Sequence, residues 1–502
     1  MNAPLLERYA DRIAGVLTCY DRIVITGTLP GACHAAGMTS FLNAHHIRIF
    51  DYPRFAEPLR DRIRANAEKL ATSAGTKIEY IAKAHVRKES IVAAVIQERG
   101  DHPGLVHVIS TMEACSSYRS WHDKRTHETF LRPTPGKCLH YYFYFIDPKL
   151  GLVYLRVPTW CPFRLQFYCN GHGWLARQLA AANIDYTMAD NAFIRIDDWD
   201  RAQQLADRLS PDVLHRVLDH YAKQCCPVLD VFGQTYHWSL MQIECSTDLA
   251  LRSEATMLPL YQAISREAIV SVKAEHVMHF LGKKMSPQLM QEVESRLSTR
   301  IEGTCIKHRL GKNSVKMYDK FGRVLRIETT TNDISFFKHH RKVEHRDGHA
   351  SRELAAVKKS IYSLIDLREI LLGCNRRYLE FLSALDDFSA GTRSLDKLTT
   401  AKQIDGHRVK GFNFFDKTEH SLLCSLQRPE FNISGVRRAD LKPYLPHLSA
   451  SSITRYLKRL RDFGLIKKVV GTYRYYLTRI GRNAIAAACK LSEHVIIPAL
   501  AV

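Results

Sequence analysis

A mixed α/β body of more than one domain, closed by a small C-terminal unit of helices and one two-stranded hairpin, is the fold class this sequence predicts. Three observations predict it. Short apolar strands alternate with amphipathic helices through residues 1–135. Aromatic strands, further helices and a charged hairpin fill residues 136–350. From residue 418 to 502, helix caps, helical periodicity and turn glycines outline three helices, a hairpin and a last helix. The chain of 502 residues exceeds what one core holds. Residues 351–417 are expected as a helical connector and a polar linker, the latter over 389–413.

In the first part, helices are expected at Leu5 to Leu17, Met38 to His45, Phe55 to Ala71 and Lys88 to Glu98. Strands are expected at Arg22 to Thr26, Ile47 to Phe50, Lys77 to Ile81 and Leu105 to Ser110. Alternation of the two kinds argues for a largely parallel, layered sheet. The aromatic runs 139–147 and 152–160 flank Pro148-Lys149-Leu150-Gly151 and read as a hairpin. With Arg156, Arg164 and Arg195 they could stack bases, although aromatics at period two more often form core. Helices are then expected at 174–183, 198–221, 258–269, 274–281, 288–298 and 351–388, with strands at 193–197 and 238–245. No internal repeat stands out.

Lysine plus arginine is 72 against 51 aspartate plus glutamate, a formal charge of +21. That excess favours a polyanionic partner: DNA first, with RNA as an alternative. A homodimer is a further candidate partner. No run of eighteen apolar residues spans a bilayer, and no secretory leader is visible at residues 1–15, so a cytoplasmic protein with no membrane partner is expected. Thirteen cysteines without a C-x-x-C pair read as reduced, half-buried apolar residues, and no zinc spacing is evident. Neither a GxxxxGK[ST] nor a GxGxxG nucleotide loop occurs.

The chemistry-bearing stretch is Lys312 to Asp333. It reads as two strands about a Phe321-Gly322 turn. Period two puts Lys316, Tyr318 and Lys320 on one face of the first strand, and Arg326 and Glu328 on one face of the second. Such a face suits a phosphate with a metal; equally, it suits a cross-strand salt-bridge lattice on an exposed hairpin. Glu244 and Asp248 end an upstream strand. Glu244, Asp248 and Glu328 are hard oxygen donors for magnesium or manganese. Lys316, Lys320 and Arg326 would add fixed positive charge, and Tyr318 or water would attack, with Tyr236 a spare nucleophile. A different acidic triad, of the retroviral-integrase kind, could draw on Asp21, Glu113 and this cluster; nothing in the spacing selects it.

The series Lys316-x-Tyr318-x-Lys320 and Arg326-x-Glu328, with QIECSTDLAL (242–251) upstream, resembles the strand pair of rolling-circle replication initiators from plasmids and filamentous phages. The resemblance covers residues 236–334. It implies cleavage of single-stranded DNA by a tyrosine assisted by a divalent metal. The His-hydrophobic-His metal motif of those proteins is missing, as is the tyrosine expected before Lys316.

In the C-terminal unit, 419–427 and 435–445 read as helices. Ser449 caps a third helix that Gly464 ends, 465–470 and 473–478 form a hairpin, and 479–491 closes the unit. This order resembles the winged helix-turn-helix fold of MarR-like bacterial regulators. The resemblance implies that Ser451, Ser452, Thr454, Arg455, Lys458, Arg459 and Arg461 face the major groove, and that Lys467, Lys468, Tyr473 and Arg474 reach phosphates from the wing. Residues 430–482 hold twelve Lys or Arg against three Asp or Glu, which fits a polyanion-binding face better than a protein-contact one. The whole chain is similar to uncharacterised bacterial proteins of this size, some labelled winged-helix regulators. Together these readings point to a DNA-binding protein of a mobile element or replicon, a metal-dependent endonuclease or strand-transfer enzyme of replication-initiator or transposase type. The alternatives are a non-enzymatic winged-helix regulator and an RNA-binding protein.

Overall fold

The computed structural model describes residues 4–83, 85–284, 286–300, 303–386 and 389–500. The chain divides into two units, Met1–Asp386 and Asp387–Val502. Among the described residues, no helix is long and apolar enough to cross a membrane.

The first unit is built on one mixed eleven-stranded sheet. It starts with β1 (Ile13–Thr28), followed by helices Ala35–Ala44 and Tyr52–Ser73, β2 (Ile78–Tyr80) and helix Lys88–Arg99. Then come β3 (Gly104–Asp123), β4 (Glu128–Asp147), β5 (Gly151–Pro158) and β6 (Leu165–Cys169), an antiparallel meander whose last strand returns to pair antiparallel with β1. A side hairpin of β7 (Tyr186–Ala189) and β8 (Ala192–Ile196) intervenes. The pattern is then repeated. After β9 (His237–Leu251) come helices Glu254–Ser271 and Ala274–Phe280. The chain then meanders through β10 (Val293–Arg300), β11 (Gly303–Leu310), β12 (Asn313–Lys320) and β13 (Val324–Thr331). Strand β13 returns antiparallel to β9. Antiparallel pairing of β1 with β9 joins the two halves at the middle of the sheet. The two halves thus share an order of elements, helices then a four-stranded meander returning to the first strand, apart from β2, which has no counterpart among the described residues of the second half.

Several expectations need correction. The sheet is antiparallel except between β2 and β3. Short turns join the meander strands, and short turns permit only antiparallel neighbours; β2 and β3 are bridged by a helix and run parallel. The boundary expected near residue 135 falls inside β4, so the expected N-terminal domain and core share one sheet. The expected helix at Leu5 to Leu17 is helical only over Pro4–Arg8, and from Ile13 onward long-range pairing with β9 overrides local propensity. Residues 47–50 form no strand; Ile49–Asp51 is a single 3-10 turn. Ser210 caps a new helix with Pro211 at its first turn, dividing the helix expected over 198–221. Strand, not helix, occupies 293–300 and 350–356, and the helix of the connector is Leu364–Asp386, within the first unit. The expected linker carries a helix over Ser389–Thr399 and a small hairpin.

The far face of the second half is apolar. Leu249, Val315, Met317, Leu325 and Ile327 pack with Met257, Leu260, Ile264, Tyr378 and Leu382 from helices Glu254–Ser271 and Leu364–Asp386. Period two leaves the even-numbered residues of β9, β12 and β13 for the other face.

The second unit orders its elements as helix Lys417–Leu426, short helical turns over 429–444, helix Ala450–Asp462, strands Ile466–Lys468 and Tyr475–Leu477, and helix Arg479–Leu491. Ser449 accepts a hydrogen bond from Ser452 N at 3.1 Å, and Gly464 leaves the helix at φ +74°. Ile453, Leu457 and Leu460 bury one stripe against Leu422, Leu426 and Ile485. Gly481 begins the last helix hard against Leu465; a Cβ there would stand 1.9 Å from the Leu465 carbonyl oxygen. Gly481→Ala is therefore expected to cost about 1–3 kcal/mol or more in urea unfolding, with faster hydrogen exchange confined to residues 417–491.

Candidate active site

The even-numbered face of β9, β12 and β13 carries the site. On β13, Arg326, Glu328 and Thr330 point to it. Lys316 lies opposite Glu328, and Tyr318 opposite Arg326, on β12. On β9, Asp248 lies opposite Arg326 and Glu244 opposite Thr330. Strand β1 brings Asp21 to the same face at an irregularity in register between Tyr20 and Arg22. Such a bulge re-aims a side chain that regular pleating would turn elsewhere.

Asp21, Glu244 and Glu328 each offer an oxygen within 4.8 Å of the others. They border a cavity of about 250 Å³, also lined by Arg22, Asp190, Asn191, Lys316, Tyr318 and Lys320. The Lys316 ammonium donates to Glu328 Oε1 at 2.5 Å and stands 3.9 Å from Glu244. Tyr318 donates its hydroxyl to Glu328 Oε2 at 2.5 Å, and Thr330 donates to Oε1 at 3.2 Å. Lys320 pairs with Asp190 at 2.9 Å, in the turn between β7 and β8. In the same turn, Asn191 Oδ1 is buried and finds no hydrogen-bond partner among the described residues.

Behind this layer lies a buried ion cluster. Arg326 is wholly buried. It grips Asp248 with two parallel bonds, Nε to Oδ1 at 2.7 Å and Nη2 to Oδ2 at 2.6 Å. Its Nη1 donates to Asp21 at 3.3 Å, and its Nη2 also meets Asn191 O at 2.7 Å and His172 Nε2 at 3.1 Å. A guanidinium can only donate, so His172 Nε2 accepts and its proton sits on Nδ1, 3.4 Å from Asp21.

Burial disfavours charge on Asp21, but Arg326 and His172 override it and hold the carboxyl far below its usual range. At Asp248, too, burial opposes ionisation and Arg326 prevails, lowering the pKa. At Glu244 the more distant Lys316, 3.9 Å away, does not prevail. Burial and the neighbouring Glu328 push the Glu244 carboxyl up to about 7. Burial works against the Lys316 charge, yet Glu328 and Glu244 raise its pKa above the usual lysine value. Burial, then Glu328, drive the Tyr318 phenol well above its ordinary value.

This geometry brings together Glu244, Glu328, Lys316, Tyr318 and Lys320 from the sequence reading. It corrects others. Asp248 is turned to Arg326, which binds both its oxygens, and it is Asp21 rather than Asp248 whose carboxylate groups with Glu244 and Glu328. Arg326 is an internal counter-ion, out of reach of a phosphate. The hairpin is no exposed lattice, since Lys320, Arg326 and Glu328 are all buried. Tyr236 is buried with its hydroxyl donated to Phe163 O at 3.1 Å. Glu113 lies outside the group, held by Lys88, Tyr142 and Arg156. Tyr141 to Phe145 and Leu155 are core, and of the rings in the two aromatic runs only Tyr154 and Trp160 are partly exposed. His172, Arg22 and Asn191 went unread. His172 lies in the first turn of helix Gly171–Ala181, which Asn170 caps by accepting from His172 N.

In the second unit, Ser451, Thr454, Arg455, Lys458, Arg461, Lys467, Lys468 and Tyr473 are exposed, and Ser452 and Arg474 partly so. Arg459 differs: it donates to Glu419 at 2.7 Å and to Lys410 O at 2.8 Å, and lies over the Phe412 ring. Arg474 is tied back to Ser434 O.

No protein-family model matches this chain, and no curated protein does.

Two outcomes follow. Arg326→Met strips the charge that balances Asp21 and Asp248, and is expected to cost about 3–5 kcal/mol in denaturant unfolding. Glu244 holds its proton more tightly folded than unfolded, so its contribution to stability is full below pH 4.5 and is lost as pH rises to about 7. Glu244→Gln is expected to flatten that part of the stability-versus-pH curve between pH 5 and 8.

Proposed function

We propose that this chain is a metal-dependent DNA endonuclease or strand-transfer enzyme. In this reading a divalent cation is held by Asp21, Glu244 and Glu328, and the second unit acts as a winged helix-turn-helix that selects duplex sites. The observation that carries the reading is the convergence of three carboxylates, from strands far apart in sequence, with two lysines beside one cavity. Three further observations support it. Burial and Glu328 outweigh Lys316 at Glu244, and an added cation would favour its ionised form. Asn191 Oδ1 is an unpartnered acceptor on the cavity wall. A strongly basic hairpin, Lys338–Glu344 with Ala350–Ala356, carries His340, Arg341, Lys342 and Arg352 in the same unit.

A bound cation would polarise a phosphodiester and stabilise the charge that develops on it. Lys316 and Lys320 would offset the same charge, with Lys316 released from Glu328 as the cation enters. Water is the nucleophile in this reading. The Tyr318 hydroxyl is committed to Glu328 and resists ionisation, so Tyr318 positions that carboxylate. In the second unit, the exposed Arg455 and Lys458 meet the duplex, whereas Arg459 holds the helix in place.

One observation favours a non-catalytic regulator: Lys316, Tyr318 and Thr330 already satisfy the Glu328 oxygens without a cation. Incubation with end-labelled single- and double-stranded DNA, with and without manganese, separates the two. Metal-dependent nicks are expected, reduced on the order of 100-fold or more by Asp21→Asn or Glu328→Gln and largely retained by Tyr318→Phe. Absence of cleavage on every substrate, with duplex binding intact, would overturn the enzymatic reading. Arg455→Ala and Lys458→Ala are each expected to weaken duplex binding and to lower its salt slope by about 1 where the side chain meets a phosphate. Arg459→Ala should show its effect in thermal stability.

A further inference from the structure

The second unit carries a group of soft ligands that none of this chemistry uses. HSLLC (420–424) places His420 and Cys424 four residues apart on helix Lys417–Leu426. CKLSE (489–493) places Cys489 and Glu493 at the same spacing across the end of helix Arg479–Leu491. Residues four apart share one helix face, and these two faces meet. Ligand atoms of His420, Cys424 and Cys489 lie within 4.8 Å of one another. Cys424 Sγ is 3.7 Å from either ring nitrogen of His420 and 4.0 Å from Glu493 Oε1. The two sulfurs stand 2.6 Å apart, both as free thiols.

We propose that His420, Cys424, Cys489 and Glu493 form a zinc site that clips the first and last helices of this unit together. Two thiolates, an imidazole and a carboxylate make a tetrahedral donor set that zinc accepts. Zinc bonds of about 2.0–2.3 Å put neighbouring ligand atoms roughly 3.5 Å apart, close to the 3.7 Å seen between Cys424 and His420. The sulfurs would move apart by about 1 Å on one ion, a change that side-chain rotation at Cys424, partly exposed, can supply. A simple thiol pair would not need His420 and Glu493 converging on it. Binding transfers no electrons: the two thiols lose their protons to solvent as two sulfur–zinc bonds form. The donors are also unlike the all-oxygen group of Asp21, Glu244 and Glu328, so the two sites are chemically separate.

Cobalt(II) reports sulfur ligation directly. Full-length protein, reduced and freed of metal, is titrated with cobalt(II), then zinc(II). The expected result is a thiolate-to-cobalt charge-transfer band saturating at one ion per chain and abolished by zinc. Glu328→Gln should keep the band, Cys489→Ser should lose it, and His420→Ala, at a partly exposed position that folding tolerates, should bind the ion more weakly. No such band in the reduced wild-type protein would overturn the proposal. So would an undiminished band in folded Cys489→Ser or His420→Ala. Air-oxidised protein lighter by two hydrogens, together with no metal uptake when reduced, would instead make the pair a disulfide and overturn it equally.

Discussion

A single guanidinium at the centre of the sheet holds the polar face of the first unit together. Arg326 lies wholly buried on β13 and binds Asp248 from β9, Asp21 from β1 and His172 from the helix that follows β6. A charge in that position is stable only while each of those partners is in place. The partners in turn fix where β1 and β9 lie against β13. Glu244 and Glu328 are presented to the cavity by the same strands, so the geometry of the acidic group follows from the buried pair behind it. At Glu244, burial and the neighbouring Glu328 outweigh Lys316, 3.9 Å away, and push its pKa up to about 7.

What could be read from the sequence follows how far apart interacting residues lie. The hairpin of β12 and β13 is local, and its alternation gave the correct facing of Lys316, Tyr318, Lys320, Arg326 and Glu328. Arg326 and Glu328 are two residues apart on one face, and nothing nearby distinguishes a buried counter-ion from a phosphate ligand. That distinction depends on Asp248 and Asp21, which approach from other strands. Asp21 was a candidate with no spacing to select it, because its place depends on pairing with β9 and on a local irregularity in β1. The same long-range pairing turned the second part of an expected helix into the start of β1, although Leu5, Tyr9, Ile13 and Leu17, four residues apart, mimic a helical stripe.

In the second unit, helical periodicity separated the buried stripe of helix Ala450–Asp462 from its exposed side, and the Ser449 cap and Gly464 exit lie where expected. Periodicity could not show that Arg459 turns inward onto Phe412 and Glu419. Nor does a search for paired cysteines find His420, Cys424, Cys489 and Glu493. Their regularity is a four-residue interval, repeated on two helices 65 residues apart.

The arrangement of β1, β9 and β13 also imposes an order in time. Asp21 and Arg326 are 305 residues apart in the chain. During synthesis at about 5–20 residues per second, β1 would wait tens of seconds for the strand that neutralises its aspartate. Through that interval the first half has its own meander to fold against, while β1 presents an unpaired edge and an uncompensated carboxylate. Closing a loop of that length is slow, and pairing of β9 with β1 must precede or accompany it. The acidic group accordingly comes into being only once β13 is made, and a chain stopped short of β13 would carry Asp21 and Glu244 on paired strands without Glu328 and without the guanidinium that balances Asp21.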